Sequence, residues 1–191
     1  MNTLEAIAQR RSIRRFKPDP IPEEALRLIL LAATQAPSGK NRQPWHIIVV
    51  RERRDEMIQV MQDGLDAFAK NINPDTGSAR WTLKVMAQAP VTVFVFNPHG
   101  KHPYVEHTVD DNFNDLVNVQ SVGAAIQNMC LAALDLGLGS LWICDILYPY
   151  GELCAWLGMD TQMVAAVSFG YPDESPGPRP RRLVDEVTTW M

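Results

Sequence analysis

The sequence is poor in cysteine and offers no pairing pattern. Of 191 residues only Cys130, Cys144 and Cys154 are thiols, an odd number with no C-x-x-C. That argues against a disulfide scaffold or a zinc knuckle and points to a reducing cytoplasm. No apolar run approaches the ~18 residues that span a bilayer, so no membrane partner is expected. The opening MNTLEAIAQRR puts Glu5 ahead of its basic cluster, the wrong order for a secretory signal. There is no Walker loop and no G-x-S-x-G elbow. Gly137-Leu138-Gly139-Ser140 fails as a dinucleotide loop, because Trp142 stands at the third glycine position and the run follows a helical pattern. His99, His102 and His107 gather with Glu106, Asp110 and Asp111, but at no metal-site spacing, and no metal is expected.

Positive charge is also scarce over most of the chain. The net charge is -4, which disfavours nucleic acid as a partner. Residues 1–54 carry eleven Lys/Arg against five Asp/Glu, residues 55–178 four against fifteen, and residues 179–191 three against two. Cations therefore collect at the two ends. Either both ends meet at a small anion such as a phosphate, or they are two unrelated solvated segments.

What is present reads as a layered α+β domain. Asn2 with Glu5 predicts a capped helix to about Gln9. Pro22-Glu23-Glu24 opens a second helix to about Gln35, apolar on most sides and so expected to be buried. His46–Val50, Pro90–Phe96, a short stretch at Ser140–Cys144, and Met163–Phe169 give four strands. Met57, Met61, Leu65 and Phe68 mark one helix, and Val119, Val122, Ile126, Met129 and Ala133 mark a long one that stops at Gly137. Tyr150 to Leu157 reads as another. Asn97 to Val109 reads as a polar loop, and the wider segment 97–117, with His102, Tyr104, His107 and Phe113, as a candidate lid. From Tyr171 the chain is proline-rich and has little to bury on its own domain, so it is disordered or laid over another surface.

Two strings carry chemistry. Arg10-Arg11-Ser12-Ile13-Arg14-Arg15-Phe16 places four guanidiniums around a hydroxyl, and the planar guanidinium fork matches phosphate oxygens. Pro37-Ser38-Gly39-Lys40-Asn41-Arg42-Gln43-Pro44-Trp45 sets small residues, a hydroxyl and amides before a strand, which suits a polar heteroaromatic ring or a plain connecting turn. These strings, with Gly137-Leu138-Gly139-Ser140-Leu141-Trp142-Ile143 and Arg179-Pro180-Arg181, resemble the FMN-dependent nitroreductase family in order and over essentially the whole chain.

The resemblance implies a nitroreductase-like fold. It has a central, mostly antiparallel sheet flanked by helices, one domain over 1–191, and an intertwined homodimer in which 171–191 wraps the partner. It implies FMN, with the phosphate held by Arg10, Ser12, Arg179 and Arg181 and Arg11 nearby. Arg14 is expected at the pyrimidine edge, where a cation favours electron uptake. Pro37, Ser38, Gly39 and Asn41, with Gln43 assisting, are expected to reach the partner's cofactor. Trp142, Cys144 and Asp145 are expected to run past the reactive ring nitrogen, Cys144 and Asp145 through backbone N–H groups. The implied activity is ping-pong transfer of two electrons from NADH or NADPH to a nitroaromatic, quinone or enone, with no catalytic side chain. Two alternatives stay open: a non-reductase of the same fold (a dehalogenase or a flavin-fragmenting enzyme), and a flavin-binding redox sensor or carrier.

Overall fold

A computed structural model describes all of residues 1–191. Seven helices and four strands follow one another as α1 (Thr3–Gln9), α2 (Glu23–Thr34), β1 (His46–Val50), α3 (Arg54–Asn71), α4 (Ala79–Gln88), β2 (Val91–Asn97), α5 (Val109–Asp135), β3 (Gly139–Ile143), α6 (Tyr150–Leu157), β4 (Gln162–Gly170) and α7 (Val184–Val187). The strands form one antiparallel sheet in the order β1-β2-β4-β3, so β1 and β3 are edges. No helix is long and apolar enough to cross a membrane.

Every residue of β2 is buried, because both faces of the sheet are covered. Val91, Val93 and Val95 face α2 and α5, where they meet Leu26, Ile29, Ile126 and Met129. Phe94 and Phe96 face α3, α4 and α6, where they meet Met57, Met61, Leu83 and Leu153. On β4 the alternation slips: Val95 pairs with Ala165 but Phe96 with Met163, which leaves Val164 as a bulge. The bulge lets Met163 and Ala166 serve one core and Ala165, Val167 and Phe169 the other. Across the central pair, the buried Thr92 and Ser168 hydroxyls share a hydrogen bond at 2.9 Å.

The ends of the elements follow the expected chemistry. Asn2 Oδ1 accepts from the Glu5 N–H at 2.9 Å, and Glu5 returns the bond to the Asn2 N–H at 3.2 Å. The long helix α5 stops as glycine dictates. Gly137 takes φ 75°, its N–H donates to Leu134 O, and the Leu138 N–H donates to Ala133 O.

The polar loop read at 97–109 lies between β2 and α5, as the sequence implies, but the wider candidate lid 97–117 runs into α5, which begins at Val109, where Thr108 and Asp111 cap each other. Residues 79–88, unassigned from sequence, form α4. And α2 buries only Leu26, Ile29 and Ala33; Leu28 and Leu31 are 45% and 56% exposed, since only one face of the helix lies on α5.

The N-terminal segment after α1 threads between β3 and the chain leaving β4. The Ile13 N–H donates to Ser140 O, the Lys17 N–H to Tyr171 O, and the Asp173 N–H to Arg15 O, each at 2.9 Å. Ile13 and Phe16 are buried. The fit depends on Gly139 and Gly170: a Cβ at Gly139 would stand 2.8 Å from Ile13 Cγ1, and one at Gly170 2.9 Å from Phe16 Cδ1. Gly139→Ala is therefore expected to lower stability by about 1–3 kcal/mol through overpacking. Urea unfolding followed by circular dichroism measures this, and an unchanged midpoint would show that the segment is not clamped.

Candidate functional site

The clamp brings the two ends of the chain together. Arg10, Arg11, Ser12 and Arg14 line one side of a cavity of about 420 Å³, and Pro176, Pro178, Arg179 and Arg181 line the other. The individual arginines differ. Arg11 is engaged, donating to Ala8 O at 2.7 Å and Arg10 O at 2.9 Å, and so closes the end of α1. Arg14 donates to Ser12 O at 3.1 Å and lies 5.7 Å from the centroid of the Trp81 ring. The Arg14 N–H donates to Glu174, whose carboxylate also pairs with Arg15 at 3.6 Å. Arg10, Arg179 and Arg181 have no carboxylate partner. Several guanidiniums around one concavity repel each other unless an anion sits among them.

The second string folds into a loop docked on the first half of α5. Lys40, Asn41 and Gln43 all take left-handed φ, at 54°, 55° and 51°. That conformation is uncommon for residues with a side chain and is concentrated at functional sites. The Gly39 N–H donates to Ser121 Oγ at 3.3 Å, the Gln43 N–H to Ser38 Oγ at 3.0 Å, and Arg42 Nη1 to Asn114 Oδ1 at 3.0 Å. A Cβ on Gly39 would come within 2.7 Å of Val117 Cγ1, so the approach to α5 requires glycine. Pro37 and Asn41 are exposed.

The structure brings Arg10, Arg11, Ser12, Arg14, Arg179 and Arg181 to one cavity and leaves Pro37, Ser38, Gly39, Asn41 and Gln43 away from it. α5 separates the two groups. The loop rests on Ser121, and the arginine end borders Cys130 and Leu134. Ser121 and Cys130 alone stand roughly 14 Å apart along the axis at ~1.5 Å per residue.

Near the end of β3 stands Trp142, 40% exposed, whose ring lies 3.6 Å from where a Cβ on Gly123 would be. Asp145 faces α4, where its Oδ2 accepts from Ser78 Oγ at 2.8 Å and from Thr82 Oγ1. That side chain therefore anchors its own backbone to α4. Desolvation, and after it the Asp145 charge, push the Cys144 thiol up from its ordinary range.

The histidines disperse. His102 stacks edge-on against Tyr150 at 4.4 Å, His107 Nδ1 lies 2.7 Å from Val105 O, and His99 is exposed. No group of three His, Cys, Asp or Glu side chains converges on a point that could hold a metal.

Sequence reasoning missed Glu174, Trp81, Ser78 and Thr82. Glu174 had a signal, an acid just ahead of the tail arginines. The other three sit on or beside α4, which no motif marks.

Comparison with known proteins agrees with the fold. A protein of Archaeoglobus fulgidus, provisionally named NADH dehydrogenase/NAD(P)H nitroreductase, is 36% identical over 90% of this chain and 86% of its own length. A crystal structure from Desulfovibrio desulfuricans, a provisional nitroreductase in complex with FMN, superposes with a TM-score of 0.73 at 31% identity, covering 100% of this chain and 98% of that one. A nitroreductase with bound FMN from Desulfitobacterium hafniense gives 0.76 at 26% identity, covering 100% and 99%. The profile of the nitroreductase family matches residues 7–171 and leaves the tail arginines outside the match. With the match spanning both arginine-bearing N-terminal segment and sheet, the chain belongs to the nitroreductase family.

Proposed function

We propose that the protein is an FMN-dependent oxidoreductase that takes two electrons from NADH or NADPH and passes them to a small acceptor. Nitroaromatics, quinones and enones are the acceptor classes of choice. The observation that carries this reading is the cavity lined by Ser12 together with Arg10, Arg179 and Arg181, three arginines unpaired by any carboxylate. These residues fit a dianionic phosphate: each fork offers parallel N–H donors, and the hydroxyl adds one more. The FMN-bound relatives support the choice of flavin.

In this reading Arg10, Ser12, Arg179 and Arg181 hold the phosphate, and Arg11 shapes the wall by holding α1. Arg14, propped between Ser12 O and Trp81, presents a cation to the pyrimidine edge of the ring. FMN supplies the two-electron chemistry when bound, and the chain supplies orientation and electrostatics. Asp145, tied to Ser78 and Thr82, would fix the backbone of Cys144 and Asp145, whose N–H groups are the proposed donors to the flavin ring. No side chain is needed to move a proton, and donor and acceptor use one slot in turn.

The split site asks for a second chain. Pro37, Ser38, Gly39 and Asn41, with Gln43, complete the partner's site rather than their own. A homodimer also accounts for exposed apolar surface: Leu28 and Leu31 on α2, and Phe113 and Leu116 on α5. The free edge of β1 borders a groove of about 580 Å³ lined by Leu26, Leu30, Ile48, Val50, Trp156 and Leu157. Residues 177–191 are all exposed, and Leu183, Val184, Val187 and Trp190 supply the apolar groups to fill such a groove on the partner. The domain is then 1–191 with 171–191 as a wrapping extension, working in a reducing cytoplasm.

Three outcomes are expected. The purified protein is yellow and releases FMN rather than FAD on denaturation, and a colourless protein that cannot be reconstituted would refute the reading. Arg181→Ala removes a charged contact worth on the order of 1.5–3 kcal/mol, so FMN affinity falls roughly ten- to hundredfold in a fluorescence titration; unchanged affinity would take the tail out of the site. Deleting residues 183–191 shifts the dimer toward monomer in analytical ultracentrifugation at micromolar concentration, whereas a full-length monomer would contradict the dimer. Anaerobic reduction by NADH or NADPH, followed by steady turnover with a nitroaromatic, separates a reductase from a redox sensor.

A further inference from the structure

The segment between β2 and α5 turns two of its rings onto the start of α6, and a cavity of about 230 Å³ opens there. Five rings line it: Phe68 of α3, His102 and Tyr104 of the segment, Tyr148 just ahead of α6, and Tyr150 in its first turn. They stand across one another rather than in a stack. Between centroids, Tyr150 lies 4.4 Å from His102 at 72° and 5.9 Å from Tyr104 at 66°, and Phe68 lies 5.1 Å from Tyr148 at 89°. Rings set at such angles form the walls of a box.

The walls are held by the chain itself. Tyr150 is 1% exposed, and its hydroxyl accepts from the Met163 N–H at 2.7 Å and donates to Thr161 O at 3.4 Å. Tyr104 is 66% exposed, yet its hydroxyl donates to Leu147 O at 2.9 Å, which fixes an otherwise free ring. A Cβ on Gly64 would stand 2.5 Å from Pro149 Cβ and 3.1 Å from Glu152 Oε2. A glycine on α3 therefore lets α6 come close and leaves room for the Glu152 carboxylate.

Charge decides what the box takes. Glu152 lines it, and no lysine or arginine does. Glu152 makes no ion pair. His102 Nδ1 accepts the Tyr104 N–H at 3.2 Å, so that nitrogen holds no proton and the ring adds no cation. Aromatic faces carry negative potential, and the carboxylate adds to it. A neutral aromatic ligand would use the rings and leave the carboxylate unanswered, and an anion would be repelled by both. A cation clothed in methyl or methylene groups satisfies both, because its carbons pack on the rings while its charge meets Glu152. The volume lies below the ~300 Å³ at which pockets for drug-sized ligands begin, so the occupant is small.

We propose that this cavity binds a small organic ammonium ion, caged by Phe68, His102, Tyr104, Tyr148 and Tyr150 and charge-paired with Glu152. None of the residues lining it lines the arginine cavity, so the site stands apart from the proposed phosphate site.

Calorimetric titration of the full-length protein with choline and with 3,3-dimethyl-1-butanol, its uncharged isostere, tests the site. Choline is expected to bind about fivefold or more tightly than the alcohol, the scale of a desolvated cation–π contact. Glu152→Gln and Tyr104→Leu, both at exposed positions, are each expected to lower choline affinity about threefold or more, and Glu152→Gln to leave the alcohol's affinity unchanged. No heat from choline, equal affinity for the two compounds, or a preference that persists in both variants overturns the proposal. The comparison on the unaltered protein decides even where a variant fails to fold.

Discussion

Repulsion among guanidiniums that the fold itself crowds together is the constraint on which the rest depends. Arg10, Arg179 and Arg181 converge without a carboxylate to neutralise them. The convergence is enforced by backbone bonds: the segment 12–17 is pinned to Ser140 on one side and to Tyr171 and Asp173 on the other. Glycines at 139 and 170 admit it, and buried Ile13 and Phe16 hold it. Glu174, the acid that follows the clamp, is committed to the Arg14 backbone N–H and to Arg15. The arrangement is unfavourable alone and favourable around an anion, which is how a binding site differs from a structural ion pair.

α5 sets the second constraint. It carries the loop of residues 37–43 on its first half and borders the arginine end with its second, and in between it packs on α2 and the sheet. One helix thus fixes the spacing of two incomplete sites.

Much of this was legible in the residues. The four strands, the Asn2–Glu5 cap and the stop at Gly137 follow from local chemistry, and the structure places each of them as the sequence implies. The meeting of the chain ends was foreshadowed by charge, since basic residues at both termini of an acidic chain need a reason. What escaped was tertiary. α4 has mixed composition and no cap by side chain, so nothing local announced it. The first turns of α5, up to residue 117, read as part of a lid, although Thr108 with Asp111 is a capping box in plain view. Leu28 and Leu31 read as core because an apolar helix looks buried, yet one chain covers only one of its faces. The cavity of Phe68, Tyr104 and Tyr150 gave no signal, because its walls come from elements distant in sequence.

The clamp between residues 12–17 and 171–173 has a consequence for biogenesis. In the proposed site everything that touches the phosphate comes from a single polypeptide, whereas the left-handed 37–43 turn would serve its neighbour. On the proposed reading, a single chain would already hold every phosphate contact before a mate completed the ring site.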